Sequence, residues 1–228
     1  MKITSLTPRL HLLEFEIGQA YLWADDDGLT LVDTGIVGSG DAIRDAITEL
    51  GSGALTRVVI THFHGDHAGS AAEIASWSDA PVIAHRLDAP VIRGEAAPPL
   101  PNLLDWERPL FEQAKQHLTG PPARVDQEAE DGDVLDFGGG ARILWIPGHT
   151  EGSIAVHLPE HRVLFTGDTV ATWPDPVLGP FNVDRERAIA SVGTLADVDA
   201  EIACFGHGAP LLSGAQSRLR ALHTQLTS

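Results

Sequence analysis

Cysteine is almost missing from this 228-residue chain: Cys204 stands alone, which excludes an internal disulfide and a cage of thiolates around a metal. Basic residues are scarce as well, 15 Lys+Arg against 32 Asp+Glu, for a formal net charge of −17. That balance repels a polyphosphate backbone and argues against nucleic acid as a partner. No apolar run approaches the roughly 18 residues that cross a membrane, and the opening Met1-Lys2-Ile3-Thr4-Ser5-Leu6-Thr7-Pro8-Arg9 lacks the apolar stretch of a secretory signal. The expectation is a cytoplasmic protein, monomer or homodimer, that acts on a small molecule without binding nucleic acid or membrane. Against these shortages stands histidine, with 11 residues unevenly spread.

Apolar patterning gives strands first. Leu10 to Glu16, Ala20 to Ala24 and Gly28 to Asp33 read as a meander. A helix is expected from Ser39, with Ile43, Ala46, Ile47 and Leu50 on one face and Gly51 ending it; Arg57 to Thr61 follows as a buried strand. The pattern repeats with a helix from about His67 to Trp77 and a strand at Pro81 to Ala84. Residues 93 to 124 break the rhythm with six prolines around a helix near Glu107 to His117, the mark of a partly helical insertion. Asp126 to Asp136 holds six acids and no base and reads as a solvated turn leading into a strand at Val134 to Phe137. Further strands are expected at Ala141 to Ile146, Ser153 to Leu158, Arg162 to Thr166 and Glu201 to Phe205. Asp184 and Ser213 should cap the last two helices. With no linker or exact repeat, residues 1–228 read as one α/β domain.

Thr61-His62-Phe63-His64-Gly65-Asp66-His67 puts four metal-competent side chains within six residues, directly after a buried strand. Such density has no ready structural explanation. Imidazoles two residues apart on a turning segment can converge on one ion, Gly65 allows the turn, and Asp66 and His67 are expected at a helix start. Three more candidates follow glycines at the ends of later strands: His149 in Pro-Gly-His-Thr, Asp168 in Thr-Gly-Asp-Thr and His207 in Phe-Gly-His-Gly. Loops beyond strand ends of such sheets can meet in one crevice. Seven ligands exceed what one tetrahedral ion takes and suit two.

In this order the motifs resemble the metallo-β-lactamase superfamily, over nearly the whole chain. The resemblance implies a four-layer αββα sandwich of two mixed sheets with helices outside and a dinuclear metal site at one edge. It also implies ligand roles: His62, His64 and His149 on the first metal; Asp66, His67 and His207 on the second; Asp168 bridging both. Two Zn2+ ions are expected, although nitrogen and carboxylate donors without a thiolate also accept iron or manganese. A metal-bridging hydroxide would be the nucleophile, so no protein nucleophile is required. Asp66 and Asp168 are the candidate catalytic residues, and His11, His85, His117, His157, His161 and His223 read as surface or structural.

The true β-lactamases of the superfamily depart at Asp168, where their commonest subclass carries cysteine. An Asp-bridged site instead resembles the glyoxalase II-like, lactonase-like and phosphodiesterase-like members. The glutathione-binding helical extension of glyoxalase II has no counterpart in the 21 residues after His207, and the tyrosine that often follows the bridging Asp in homoserine-lactone hydrolases is absent: the one tyrosine is Tyr21. The leading expectation is therefore hydrolysis of a small ester, thioester or lactone. Alternatives are an iron-dependent oxidoreductase of sulfur or oxygen chemistry, then a phosphodiesterase, a β-lactamase or a non-catalytic metal-binding module.

Overall fold

The computed structural model describes all 228 residues, which divide into two compact units. The first comprises Met1–Pro98 and Gln116–Ala129, the second Pro99–Lys115 and Glu130–Ser228, so the irregular segment after residue 93 is shared between them in sequence.

The first unit is a seven-stranded mixed sheet in sequential order. β1 (Lys2–Ser5), β2 (Leu10–Glu14), β3 (Gln19–Asp25) and β4 (Gly28–Val32) form an antiparallel meander, and β5 (Leu55–Ile60), β6 (Val82–His85) and β7 (Gln127–Ala129) extend it in parallel. Parallel neighbours need crossovers, and α1 (Gly40–Leu50), α2 (Ala71–Trp77) and the short α3 (Ala89–Ile92) lie in the connections. Alternate residues Leu29 and Leu31 of β4 and Val58 and Ile60 of β5 enter one core with Ile43 and Ala46 of α1 and Ala71 and Ile74 of α2. Each leucine, valine or isoleucine among them contributes about 1.5–3 kcal/mol by leaving water. α1 ends where expected, at Gly51 with a left-handed φ of 61°. Its start differs from expectation: Ser39 makes no side-chain cap, and the Glu73 carboxylate accepts from Gly38 and Gly40 N–H instead.

The second unit carries a five-stranded mixed sheet ordered β14-β11-β10-β9-β8. After α4 (Arg108–Ala114) come β8 (Val134–Leu135), β9 (Ala141–Trp145), β10 (Ile154–Leu158) and β11 (Val163–Phe165), paired antiparallel; β14 (Ile202–Cys204) joins β11 in parallel. Between β11 and β14 lie a separate hairpin, β12 (Val170–Thr172) with β13 (Pro176–Leu178), and α5 (Arg185–Asp197). α6 (Ala215–Thr227) ends the chain. Val192, Leu195 and Ala196 of α5 share a core with Ala215, Leu219 and Leu222 of α6. Asp184 caps α5 as its position promises, its side chain accepting from Arg187 N–H at 3.0 Å. Ser213 does not cap α6: left-handed Gly214 holds that position, and its N–H donates to Glu201 at 2.9 Å.

Four differences from the patterning have physical causes. α2 begins at Ala71, because residues 64–70 are wound into tight turns in which both His67 and Ala68 N–H donate to the His64 carbonyl. β1 goes unread because it is four residues long and none of them is buried. β7 lies inside the acidic run, where a short edge strand tolerates charge. The β12–β13 hairpin is masked by Pro174 and Pro176, which suit a hairpin without central strands.

Candidate metal centre

In the first unit the candidate ligands sit just beyond the end of β5. His62, His64 and His67 are buried, with His67 fully so. His62 Nε2 and His64 Nδ1 lie 3.0 Å apart, and the rings of His62 and His67 are 4.2 Å apart between centroids. Asp66 Oδ2 is 3.8 Å from His67 Nε2. The loop is packed without slack. A Cβ on Gly65 would meet the backbone of His117 and Thr119, and Gly65 N–H donates to the His117 carbonyl at 2.7 Å.

Two acids outside the motif fix this loop. Asp33, held at a left-handed φ of 62°, accepts from Thr61 N–H at 2.7 Å and Thr61 hydroxyl at 2.8 Å and lies 2.9 Å from His67 Nδ1. Asp88 accepts from Phe63 N–H at 3.0 Å, between the two histidines His62 and His64. Sequence reading treats Asp33 as a strand end and passes over Asp88; the available signal was an acid closing an otherwise apolar strand. His62 is set similarly, with Nδ1 3.0 Å from the Thr61 hydroxyl.

In the second unit the ends of β9 and β11 and the loop after β14 bring His149, Asp168 and His207 together. Asp168 Oδ2 lies 3.8 Å from His149 Nε2 and 3.2 Å from His207 Nε2, so one carboxylate oxygen faces two imidazoles. His149 and Asp168 are buried and His207 is half-buried. Asp168 lies in a one-turn helix, Gly167–Thr169.

These donors suit borderline metal ions. All are nitrogen or carboxylate oxygen, the buried imidazoles cluster rather than disperse, and Asp33 and Thr61 engage the Nδ1 atoms of His67 and His62. That leaves Nε2 as the atom offered to an ion, the usual arrangement of ligating histidines. Of the histidines read from sequence as surface or structural, His11 Nδ1 lies 3.0 Å from the Ser5 hydroxyl and His157 Nε2 3.3 Å from the Asp199 carbonyl. Outside these ligands, Arg93 is tied to Glu128 and Glu95, whose hydrogen bonds raise its pKa, and Arg108 lies beside Asp105.

The profile of the metallo-beta-lactamase superfamily matches residues 13–207, a span that contains all seven candidate ligands. The chain belongs to the metallo-β-lactamase superfamily. Among the relatives of this superfamily member, the probable metallo-hydrolase YflN of Bacillus subtilis (strain 168) is 31% identical over 249 residues, covering 96% of this chain and 91% of that protein. The hydroxyacylglutathione hydrolase of Maricaulis maris is 30% identical over 118 residues, 51% of this chain and 34% of that protein. Among solved structures, the metallo-beta-lactamase family protein TTHA1429 of Thermus thermophilus superposes with a TM-score of 0.74 at 24% identity, covering 98% of this chain and 81% of that one. The α/β fold of mixed sheets with helices is thus that of the superfamily. No helix is long and apolar enough to cross a membrane.

Proposed function

We propose that this chain is a dinuclear metal-dependent hydrolase that cleaves a small carbonyl substrate, an ester, thioester or lactone. The observation that carries the reading is Asp168, one of whose oxygens lies close to both His149 and His207. A carboxylate so placed is suited to bridge two ions. By the ligand order that the superfamily resemblance implies, His62, His64 and His149 would hold one ion and Asp66, His67 and His207 the other, with Asp168 common to both. Bound zinc, iron or manganese ions would supply a water activated at neutral pH and polarisation of the substrate carbonyl.

The chain's own residues do the rest. Asp66, whose carboxylate is partly exposed and lies 3.8 Å from His67 Nε2, is suited to carry a proton between the site and solvent. Asp33 fixes the His67 tautomer with Nδ1–H toward its carboxylate. No serine or cysteine is needed as nucleophile, and buried Cys204 is unsuited to the task. The net charge of −17 favours a small substrate over nucleic acid. That relatives include hydroxyacylglutathione hydrolases and an acyl-coenzyme A thioesterase of Gallus gallus supports an acyl substrate.

The test is initial rates of zinc-reconstituted protein on lactones, aryl esters, acyl-glutathione thioesters, phosphodiesters and a β-lactam. A carbonyl preference that disappears in Asp168→Ala supports the reading. Turnover by Asp168→Ala at the wild-type rate, or activity confined to phosphodiesters, overturns it.

A further inference from the structure

Glu107 belongs to none of the motifs, yet it is only 1% exposed. Its two carboxylate oxygens accept from two different segments of the second unit. Oε2 takes Leu104 N–H at 2.8 Å, within the Pro99–Lys115 strap, and Oε1 takes Phe181 N–H at 3.3 Å, 74 residues along the chain. Phe181 has a φ of 64°, which a bulky residue keeps only where its surroundings hold it. The holding is visible: the Phe111 ring stacks edge-on at 5.5 Å, and Asn102 N–H donates to the Asn182 carbonyl at 2.9 Å.

The segment so latched is bonded to two of the three ligand-bearing loops of its unit, those of His149 and Asp168. Val183 N–H donates to the carbonyl of His149 at 3.2 Å and Asp184 N–H to that of Gly148 at 2.9 Å. At the other end Gly179 N–H donates to the Thr169 carbonyl at 3.2 Å, and a Cβ on Gly179 would strike the carbonyl of Asp168. Buried Asn182 ties the two ends by donating to the Gly179 carbonyl at 2.7 Å. Residues 179–184 therefore form a brace between the Asp168 and His149 loops, and Glu107 fastens that brace to the strap.

We infer that Glu107 is a positioning residue for Asp168 and His149, setting the geometry these two ligands present through the 179–184 brace. The inference rests on the metal-centre reading above. It assigns the strap a purpose that its irregular sequence conceals, since a carboxylate accepting two backbone N–H groups, when removed, leaves both donors buried.

Cobalt(II) uptake tests it without turnover, because the visible absorption of cobalt reports ligand geometry. Glu107→Ala is expected to bind cobalt roughly 10–100-fold more weakly, as for loss of other outer partners of metal ligands, and to shift the absorption bands. Glu107→Gln, which keeps one acceptor oxygen, falls between. The control is Glu201→Ala, which removes an acceptor of one backbone N–H at the start of α6, and it leaves affinity and bands unchanged. Wild-type affinity and bands in Glu107→Ala, or equal changes in Glu201→Ala, overturn the inference. If Glu107→Ala does not fold, Glu107→Gln is compared in the same way with Asn102→Ala, which removes the side-chain amide N–H that Asn102 donates to the Val183 carbonyl at 3.3 Å. A wild-type protein that takes up no cobalt instead rejects the metal-centre reading and this inference with it.

Discussion

Asp33 and His67, 34 residues apart, meet in the first unit with Oδ2 2.9 Å from Nδ1. The same carboxylate accepts both the backbone N–H and the hydroxyl of Thr61, so it fixes the histidine-rich loop at two points. Asp33→Asn keeps the shape but turns an amide N–H toward one of those donors. Metal affinity is expected to fall about 10–100-fold, measured by competition with a chromophoric chelator. An affinity equal to wild type would show that His67 is oriented by its neighbours alone.

Gly179 has no room for a side chain, because its Cβ would collide with the Asp168 carbonyl. The obstacle is backbone, which cannot rotate away. Gly179→Ala should therefore displace the 167–169 turn, costing about 1–3 kcal/mol by overpacking and lowering metal stoichiometry. Gly51→Ala, also strained but at the end of α1 with open space around it, serves as comparison. It is expected to lower stability without altering bound metal, read by denaturant unfolding and metal analysis side by side.

What the sequence made readable was local. His62 to His67 are contiguous, and their donor density survives without knowledge of the fold. The strands β2 to β6 and β9 to β11 announce themselves by apolar runs, and Asp184 by its place before a helix. What escaped was carried by partners distant in sequence. Asp33 meets Thr61 and His67, Asp88 meets Phe63 and Glu107 meets Phe181; the acid closing an apolar strand marks Asp33 as unusual, but nothing near any of the three acids names its distant partner. The same holds for β7, whose edge pairing with β6 overrides an acidic composition. His67 is expected on a helix because its neighbours favour one, but the His64 carbonyl takes both the His67 and Ala68 N–H in a tight turn, and the helix starts only at Ala71.

The strap that Glu107 latches leaves Leu104, Trp106 and Leu110 exposed, and the tip of the β12–β13 hairpin leaves Trp173 more exposed still at 87%. Apolar side chains concentrated on segments beside ligand-bearing loops are suited to hold the apolar part of a substrate. If they do, kcat/KM on a series of aryl esters rises roughly fourfold per added acyl methylene. Trp106→Ala flattens that rise and leaves acetate ester hydrolysis near wild type. A slope unchanged in Trp106→Ala would remove the strap from substrate binding.

Cys204 is buried at the end of β14, and burial raises its thiol well above the ordinary range. The thiolate is the reactive form, so the folded protein should resist thiol reagents at neutral pH. Labelling is expected to follow the unfolding transition in denaturant, with one thiol per chain appearing only as structure is lost. Rapid labelling of the native protein would contradict the packing of that strand.

His11 supplies a pH dependence that can be isolated. It is buried in β2, with Nδ1 3.0 Å from the Ser5 hydroxyl, and burial lowers its pKa from 6.5. The folded protein thus keeps the neutral ring while the unfolded chain takes up a proton, so its contribution to stability is present in full above pH 6.5. It is lost as pH falls through 6.5 toward the depressed folded value. His157 is depressed chiefly by burial and adds a change of the same sign. Denaturant midpoints of the metal-free protein should therefore decline as pH falls below about 6.5, and His11→Gln should decline less steeply. The comparison uses metal-free protein so that metal binding, itself pH-dependent, does not shift the midpoints. Parallel declines in the two proteins would assign the acid sensitivity to other groups.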